Sequence, residues 1–308
     1  MEFRLLGNTG LIVSEIGFGA WAIGGDEWGD VKDYESIEAI EKAIDLGVNF
    51  IDTADVYGLG HSEKLVAQVI KQHRKNIVLS TKGGLIGHHY DPNQKAVYGT
   101  PQKIINAFEA SLKRLKTDYI DVYFCHIWWN KREEMEAFLE AFQILKQDGK
   151  VRAVGVSTND LEYIKQFNQH GDLDVIQFDY SILNKEPEKD ILPYAKKHNL
   201  GTVIRGPLKM GILTGKFSPK TTFPENDLRK DWPTEKWFQD SLEKVEKLRT
   251  LERTNRTLTQ IALRYVLSHP AVSVAIPGAK KQLQVEENSA HLIRPLLLEN
   301  EMKFIKAL

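Results

Sequence analysis

Short apolar runs alternate along the chain with segments whose apolar residues recur every three or four positions. The runs read as buried strands and the spaced segments as amphipathic helices. Phe3-Arg4-Leu5-Leu6 and Leu11-Ile12-Val13, separated by Gly7-Asn8-Thr9-Gly10, predict an opening hairpin. Strands are then predicted from residues 16, 48, 77, 120, 151, 175, 201 and 272. Helices are predicted over 34–46, 62–72, from Thr100-Pro101 through Leu115, and over 134–147, 161–168, 188–198, 258–268 and 281–290. Eight strand and helix pairs with no break in composition predict one α/β domain over 1–308, a (β/α)8 TIM barrel with an N-terminal β-hairpin. An open doubly wound sheet would need G-x-G-x-x-G after its first strand. Gly17-Phe18-Gly19-Ala20-Trp21-Ala22 ends in alanine instead.

The loops that follow strands carry the extra sequence. Residues 206–234, with Pro207, Pro219, Pro224 and Pro233, far exceed an ordinary strand-to-helix loop and predict an extended binding loop. Trp21, Trp28, Trp128, Trp129 and Trp232 fall in such loops, and Trp237 lies just past one. In a barrel these loops share the face where the strands end, so the tryptophans are expected to wall an apolar pocket, with Trp21, Trp28, Trp128 and Trp129 as the substrate-pocket candidates.

Composition narrows the partners. With 42% hydrophobic and 27% charged residues the chain can bury a large core, and a formal charge of −1 gives no reason to expect nucleic acid or an anionic membrane. A small molecule is the better partner. The single cysteine, Cys125, excludes an internal disulfide and fits a reducing compartment. The first residues lack the apolar stretch of a signal peptide and no run is long enough for a membrane helix, so a cytoplasmic chain is expected.

The candidate chemistry lies at strand ends. Val48-Asn49-Phe50-Ile51-Asp52-Thr53-Ala54-Asp55-Val56-Tyr57-Gly58 runs from an apolar strand straight into polar residues. Asp52 ends the second barrel strand, Lys82 the third and His126 the fourth, and Tyr57 follows the second. Neighbouring strands would gather an acid, a phenol, an ammonium and an imidazole. A phenol holds its proton at neutral pH, and a nearby cation eases its release, so Tyr57 is placed as a proton donor to a carbonyl oxygen, with Lys82 as the cation, Asp52 orienting it and His126 donating to substrate. One histidine and one acid fall short of a zinc set, and no metal is expected. Imine formation at Lys82, as in a lyase, stays open as a rival. The last predicted strand is followed by Pro277-Gly278-Ala279-Lys280-Lys281 at a helix start, where backbone N–H groups and two ammonium groups would favour a phosphate.

These residues resemble the aldo-keto reductases over essentially the whole chain. Gly47-Val48-Asn49-Phe50-Ile51-Asp52-Thr53-Ala54 with Tyr57-Gly58 and Ser62-Glu63 is similar to that family's signature around its catalytic acid and tyrosine, and Ser80-Thr81-Lys82 and His126 match its lysine strand and its histidine. Within the family the likeness is to bacterial members near the potassium-channel β-subunit branch, the reductase linked to inositol utilisation among them. The resemblance implies NADPH/NADP+ bound across the strand ends. It implies contacts from Ser157 and Gln177 to the nicotinamide carboxamide, and from Gly278, Ala279, Lys280, Lys281, Gln284, Glu287 and Asn288 around the adenine and its phosphate. It also implies reduction of aldehydes or ketones to alcohols, and the reverse, with Tyr57 as acid. The channel branch keeps a second reading open, a redox-sensing regulatory subunit with little turnover. Two positions depart from the family pattern. Arg205-Gly206 stands where many members place a tyrosine and a serine, so Arg205 is expected to pack beside the nicotinamide, and Thr158 separates Ser157 from Asn159.

Overall fold

The computed structural model of the chain describes residues 1–25, 27–84, 98–126, 132–254, 256–289 and 296–308. The hairpin comes first. β1 (Phe3–Leu5) and β2 (Ile12–Ser14) pair antiparallel. The alternation then runs β3 (Phe18–Gly19), α1 (Asp33–Asp45), β4 (Phe50–Asp52), α2 (His61–Ile70), β5 (Val78–Gly83), α3 (Pro101–Leu115), β6 (Ile120–Cys125) and α4 (Arg132–Gln147). It continues with β7 (Val151–Ser157), α5 (Leu161–Phe167), β8 (Val175–Asp179), α6 (Ile191–His198), β9 (Gly201–Arg205), α7 (Lys236–Leu248), α8 (Leu258–Leu267), β10 (Val274–Ala275), α9 (Gln282–Asn288) and α10 (Glu299–Ala307).

Strands β3 to β10 lie side by side in chain order, all parallel. Bridges from Ile16 to Ala275 and from Gly19 to Gly278 join the first strand to the last and close the expected (β/α)8 barrel. The closing seam requires glycine. A Cβ on Gly19 would lie 2.7 Å from the carbonyl oxygen of Ile276, inside any real contact distance. Strands buried on both faces cannot show in/out alternation, which is why the barrel strands are nearly continuous apolar runs. Helix starts follow their caps: Asp160 accepts from the N–H groups of Glu162 and Tyr163, Thr257 and Gln260 form a capping box, and Pro101 opens α3.

The apolar residues divide into two layers. Outside the barrel, helices pack on the outward side chains of the strands. Inside it, Phe50, Val78, Val122, Phe124, Val175, Val203 and Val274 form a separate cluster that includes Leu6, Leu11 and Val13 of the hairpin. The hairpin therefore plugs the end of the barrel where the strands begin, and the site residues sit at the end where the strands finish.

Three differences from the sequence expectation have local causes. α6 begins at Ile191, after a short turn at Glu186–Glu188, because the Asp190 side chain caps Ile191. α7 and α10 lie outside the eight strand and helix pairs. α7 buries Phe238, Leu242, Val245 and Leu248, a three-and-four spacing with no strand before it to draw attention to it. The extended loop 206–234 is built into short turns at Lys209–Thr214 and Trp232–Thr234, and Trp232 packs on Phe223, Trp237 and Phe238.

Leu6 is wholly buried in the barrel floor. Leu6→Ala is expected to lower the free energy of unfolding by about 2–5 kcal/mol, the range for a core leucine that leaves a cavity. Urea unfolding of the two proteins measures this, and a loss under ~1 kcal/mol would mean that the hairpin only covers the barrel.

Candidate active site

Asp52 and Lys82 meet because their strands are neighbours and their side chains turn the same way. Asp52 pairs in register with Ser80, and Lys82 lies two residues further along β5, so both Ser80 and Lys82 point to the side that Asp52 occupies. The Lys82 ammonium donates to Asp52 Oδ2 at 2.6 Å, to the Thr53 carbonyl at 2.8 Å and to Tyr57 Oη at 3.3 Å. Ser80 Oγ donates to Asp52 Oδ1 at 2.7 Å. From the opposite wall of the barrel Gln177 Nε2 donates to the same oxygen at 3.0 Å, and Ser157 Oγ donates to Gln177 Oε1 at 3.3 Å. Tyr57 lies edge-on to His126 with ring centroids 5.6 Å apart, and Trp21 stacks near its other side at 6.1 Å.

Burial and the neighbouring charges together set the protonation states. Lys82 is fully buried, which works against its charge, but Asp52 and the Tyr57 contact outweigh burial and hold the ammonium above the ordinary lysine value. For Tyr57 the largest effect is also burial, which raises the phenol; Lys82 pulls it down and does not win, so the phenol stands above its ordinary value. Lys82 acts in the easing direction expected of it, and burial outweighs it. Here Tyr57 keeps its proton firmly, and Lys82 moderates the cost of giving it up.

Tyr57 opens into a cavity of about 470 Å³, lined also by Asp52, Gln177, Trp21 and Trp28 and extending to Gln284, Glu287 and Asn288. Its size is that of a small-molecule site. Beyond the tyrosine the wall becomes cationic: Lys216, Arg229 and Lys280 all line it. Arg229 is clamped by Asp227 through two hydrogen bonds of 2.8 and 2.6 Å, and its guanidinium lies 4.9 Å from the Trp28 ring centroid. Burial would raise the Asp227 carboxyl, but Arg229 and Lys280 hold it below the usual range. Lys280 is lowered to about 8, first by burial and then by Arg229, and its ammonium donates to the Trp28 carbonyl.

The extended loop reaches over this wall. Trp28 bridges to Asp227, and Leu228 N–H donates to the Glu27 carbonyl at 2.9 Å, so the loop after β3 and the loop after β9 are joined. The loop leaves β9 through Gly206, at φ +62°, where a Cβ would lie 2.4 Å from Asp179 Oδ1. Lys209 and Met210 also adopt left-handed backbone, at φ 46° and 50°, a strain that collects where loops grip ligands.

With this geometry in place, comparison with known proteins decides the family. The model of the Aldo/keto reductase family matches residues 15–308. The chain belongs to the aldo/keto reductase family. Among similar proteins, the aldo-keto reductase YhdN of Bacillus subtilis is 37% identical over 292 residues, covering 93% of this chain and 87% of that protein. The NADH-specific methylglyoxal reductase of Escherichia coli is 32% identical over 301 residues, covering 93% and 92%. The solved glycerol dehydrogenase of Gluconobacter oxydans superposes with a TM-score of 0.83 at 34% identity, over 99% of this chain and 94% of that one.

In this aldo/keto reductase Asp52, Tyr57, Lys82 and His126 are brought together, and so are Arg205, Gly206, Gly278, Ala279, Lys280, Gln284, Glu287 and Asn288 around the cavity. Arg205 Nη2 donates to Asn159 Oδ1 at 3.1 Å. Lys281 stands apart: its ammonium pairs with Glu35 of α1 at 3.0 Å and does not line the cavity. Gln284 Oε1 accepts from the N–H groups of Lys280 and Lys281, and Glu287 accepts from Thr257 Oγ1. Trp128 and Trp129 lie outside the described residues. Trp232 and Trp237, expected at the pocket wall, instead pack with Phe223 and Phe238 beneath the extended loop, because that loop needs an apolar centre of its own. Lys216 and Arg229 at the cavity wall, and the bond from Ser80 to Asp52, are not among the sequence expectations. The signal was present, as two basic residues in a loop too long to be mere connection and a serine two positions before the lysine. Among the described residues no helix is long and apolar enough to cross a membrane, and no group of three or more His, Cys, Asp or Glu side chains is placed to hold a metal.

Asp52→Asn is expected to cost about 3–5 kcal/mol of stability at neutral pH, because it leaves the Lys82 ammonium buried and unpaired. The sign with pH follows from the raised lysine. A group whose folded value lies above its unfolded value of 10.5 contributes fully below that pH, and its contribution is lost as pH rises through the folded value. Unfolding titrations should therefore show the wild-type advantage at neutral pH and its loss only in strong alkali.

Proposed function

We propose that this chain is an NADPH-dependent oxidoreductase of one barrel domain, interconverting aldehydes or ketones and alcohols. The observation that carries the reading is the Tyr57 hydroxyl at the cavity wall, 3.3 Å from a Lys82 ammonium that Asp52 holds at 2.6 Å. When bound, the nicotinamide nucleotide supplies or accepts the hydride. The chain's own part is the proton. Tyr57 gives its hydroxyl proton to the carbonyl oxygen, and Lys82 stabilises the phenolate that remains, at a place where Asp52 keeps Lys82 charged. His126, edge-on to Tyr57, would donate to the same oxygen. Trp21 and Trp28 supply apolar wall for the substrate.

Imine chemistry at Lys82 fits less well. A Schiff-base lysine must present a free amine, whereas this nitrogen is saturated by Asp52, Thr53 and Tyr57 and is held charged.

NADPH is proposed over NADH because Lys216, Arg229 and Lys280 face the far part of the cavity, where the Asp227 carboxylate is already engaged by Arg229, so cationic capacity remains for a phosphate. Membership of the family does not fix this choice, because the relative from Escherichia coli is NADH-specific, and the charges of this cavity are what support the NADPH reading.

Two outcomes follow. Tyr57→Phe should lower carbonyl reduction by at least ~100-fold while leaving nucleotide binding intact, the scale for a lost general acid. Near wild-type turnover by this variant, measured as loss of NADPH absorbance with a carbonyl panel, would end the assignment.

For the cofactor, NADPH is expected to bind at least ~10-fold tighter than NADH, about 1.4 kcal/mol. That preference should shrink with added salt. It should also shrink as pH rises through about 8, where Lys280 loses its charge. Lys280→Ala should weaken it and Lys281→Ala should leave it unchanged. Dissociation constants for both nucleotides across pH and salt decide the matter, and equal affinity at low salt would remove the phosphate site.

A further inference from the structure

The turn that leaves β9 carries an ion pair that the proton chemistry does not use. Residues 206–211 all line the same cavity as Tyr57 and Gln177. Within the turn Lys209 and Met210 hold left-handed backbone at φ 46° and 50°, followed by Gly211 at φ +95°. Glycine adopts that region freely, whereas residues with a Cβ keep it only where contacts elsewhere compensate. Both strained residues have such a contact. The Met210 carbonyl accepts from Arg229 Nη1 at 3.2 Å, and the Lys209 ammonium donates to Asp179 Oδ2 at 2.9 Å.

Asp179 is a fixed anchor. It ends β8, in register with Arg205 at the end of β9, and it is buried. Its N–H donates to Asn159 Oδ1 at 2.8 Å, and Asn184 Nδ2 donates to its carbonyl and to its Oδ2, each at 2.9 Å. Its other carboxylate oxygen lies against the start of the turn, where a Cβ on Gly206 would come within 2.4 Å of it. One side chain of the barrel rim therefore touches the turn where it begins and grips it again at Lys209.

We propose that Asp179 is a positioning residue for the nucleotide: through Lys209 it holds the 206–211 turn in the strained shape that lines the cavity. This rests on the reading of the cavity as a nicotinamide nucleotide site. A turn released from Asp179 relaxes toward ordinary backbone, and the shape that fits the nucleotide is then occupied only part of the time. Apparent affinity falls by that fraction, for NADPH and NADH alike. The cations that favour a phosphate are Lys216, Arg229 and Lys280. With its charge matched by Asp179, Lys209 does not add to that set, so the pair acts on affinity and not on the choice between the two nucleotides.

The test is the dissociation constant of NADPH and of NADH, read from nucleotide fluorescence, with unfolding temperatures measured alongside. The proteins are wild type, Asp179→Asn, Lys209→Met, Lys209→Arg and the double variant Asp179→Asn/Lys209→Met. Each of Asp179→Asn and Lys209→Met is expected to weaken both nucleotides by about tenfold, which corresponds to a turn correctly shaped one tenth of the time, and to leave their ratio unchanged. The double variant should be no weaker than either single one, because the two residues act as one pair. Lys209→Arg keeps the cation and should stay near wild type. Tighter binding by Asp179→Asn with weaker binding by Lys209→Met would make Lys209 a direct phosphate ligand that Asp179 holds back, and would overturn the proposal. Losses that sum in the double variant overturn it too, as do unchanged dissociation constants with lowered unfolding temperatures, the mark of a pair that serves only the fold. Wild type that binds neither nucleotide would overturn the reading of the cavity itself, whereas normal binding by wild type and by both single variants removes Asp179 alone.

Discussion

The buried pair of Lys82 and Asp52 is the constraint on which the site depends. An ammonium inside a barrel costs several kcal/mol in desolvation and is tolerated only when its donors are all met. Here Asp52, the Thr53 carbonyl and Tyr57 meet them, and Ser80 and Gln177 in turn occupy the other oxygen of Asp52. Because these groups come from β4, β5, β8 and the loop after β4, the pair can form only when the barrel is closed around it. The same saturation explains the division of labour. A lysine with no free hydrogen-bonding capacity is a fixed cation, and a fixed cation beside a buried phenol is what the handling of a proton requires.

Much of this was legible in the sequence. Apolar runs and helical spacing place all eight barrel strands, because a parallel barrel buries both faces of each strand and so writes itself as uninterrupted Val, Ile and Phe. Asp52, Lys82 and His126 stand out because polar residues that end apolar strands have no packing reason to be there. Less legible were the features set by contacts distant in sequence. Nothing near Gln177 says that it reaches across the barrel to Asp52. Lys280 and Lys281 are equivalent in the sequence, yet one enters the cavity and the other turns to Glu35, since consecutive residues at a helix start point in different directions. α7 escaped notice because the alternation of strand and helix had already accounted for the fold.

The cationic end of the cavity shows how loops carry specificity on a fixed frame. Arg229 is held by Asp227 and lies against Trp28, so its guanidinium arrives ordered, with much of its side-chain entropy already lost on folding. Lys280 and Lys216 come from different segments and converge on the same wall. Aromatic rings and the Asp227 carboxylate flank these three cations, and burial first, then repulsion from Arg229, lowers Lys280 and Lys216 from their ordinary values.

The hairpin that fills the barrel floor bears on how mutations combine. Leu6, Leu11 and Val13 share their contacts with inward residues such as Phe50 and Val203, while the loops at the far mouth share theirs with one another. Sites that are well separated and have no common partner change stability almost independently. Substitutions in the floor and in the mouth should therefore sum, so that stability gained at one end can offset losses incurred while the other end is altered. Between the two lies the polar layer of Ser157, Gln177, Asp52, Ser80 and Lys82, joined by continuous hydrogen bonds. There the effect of any one change depends on all the others, and it is in this layer that strong epistasis is to be found.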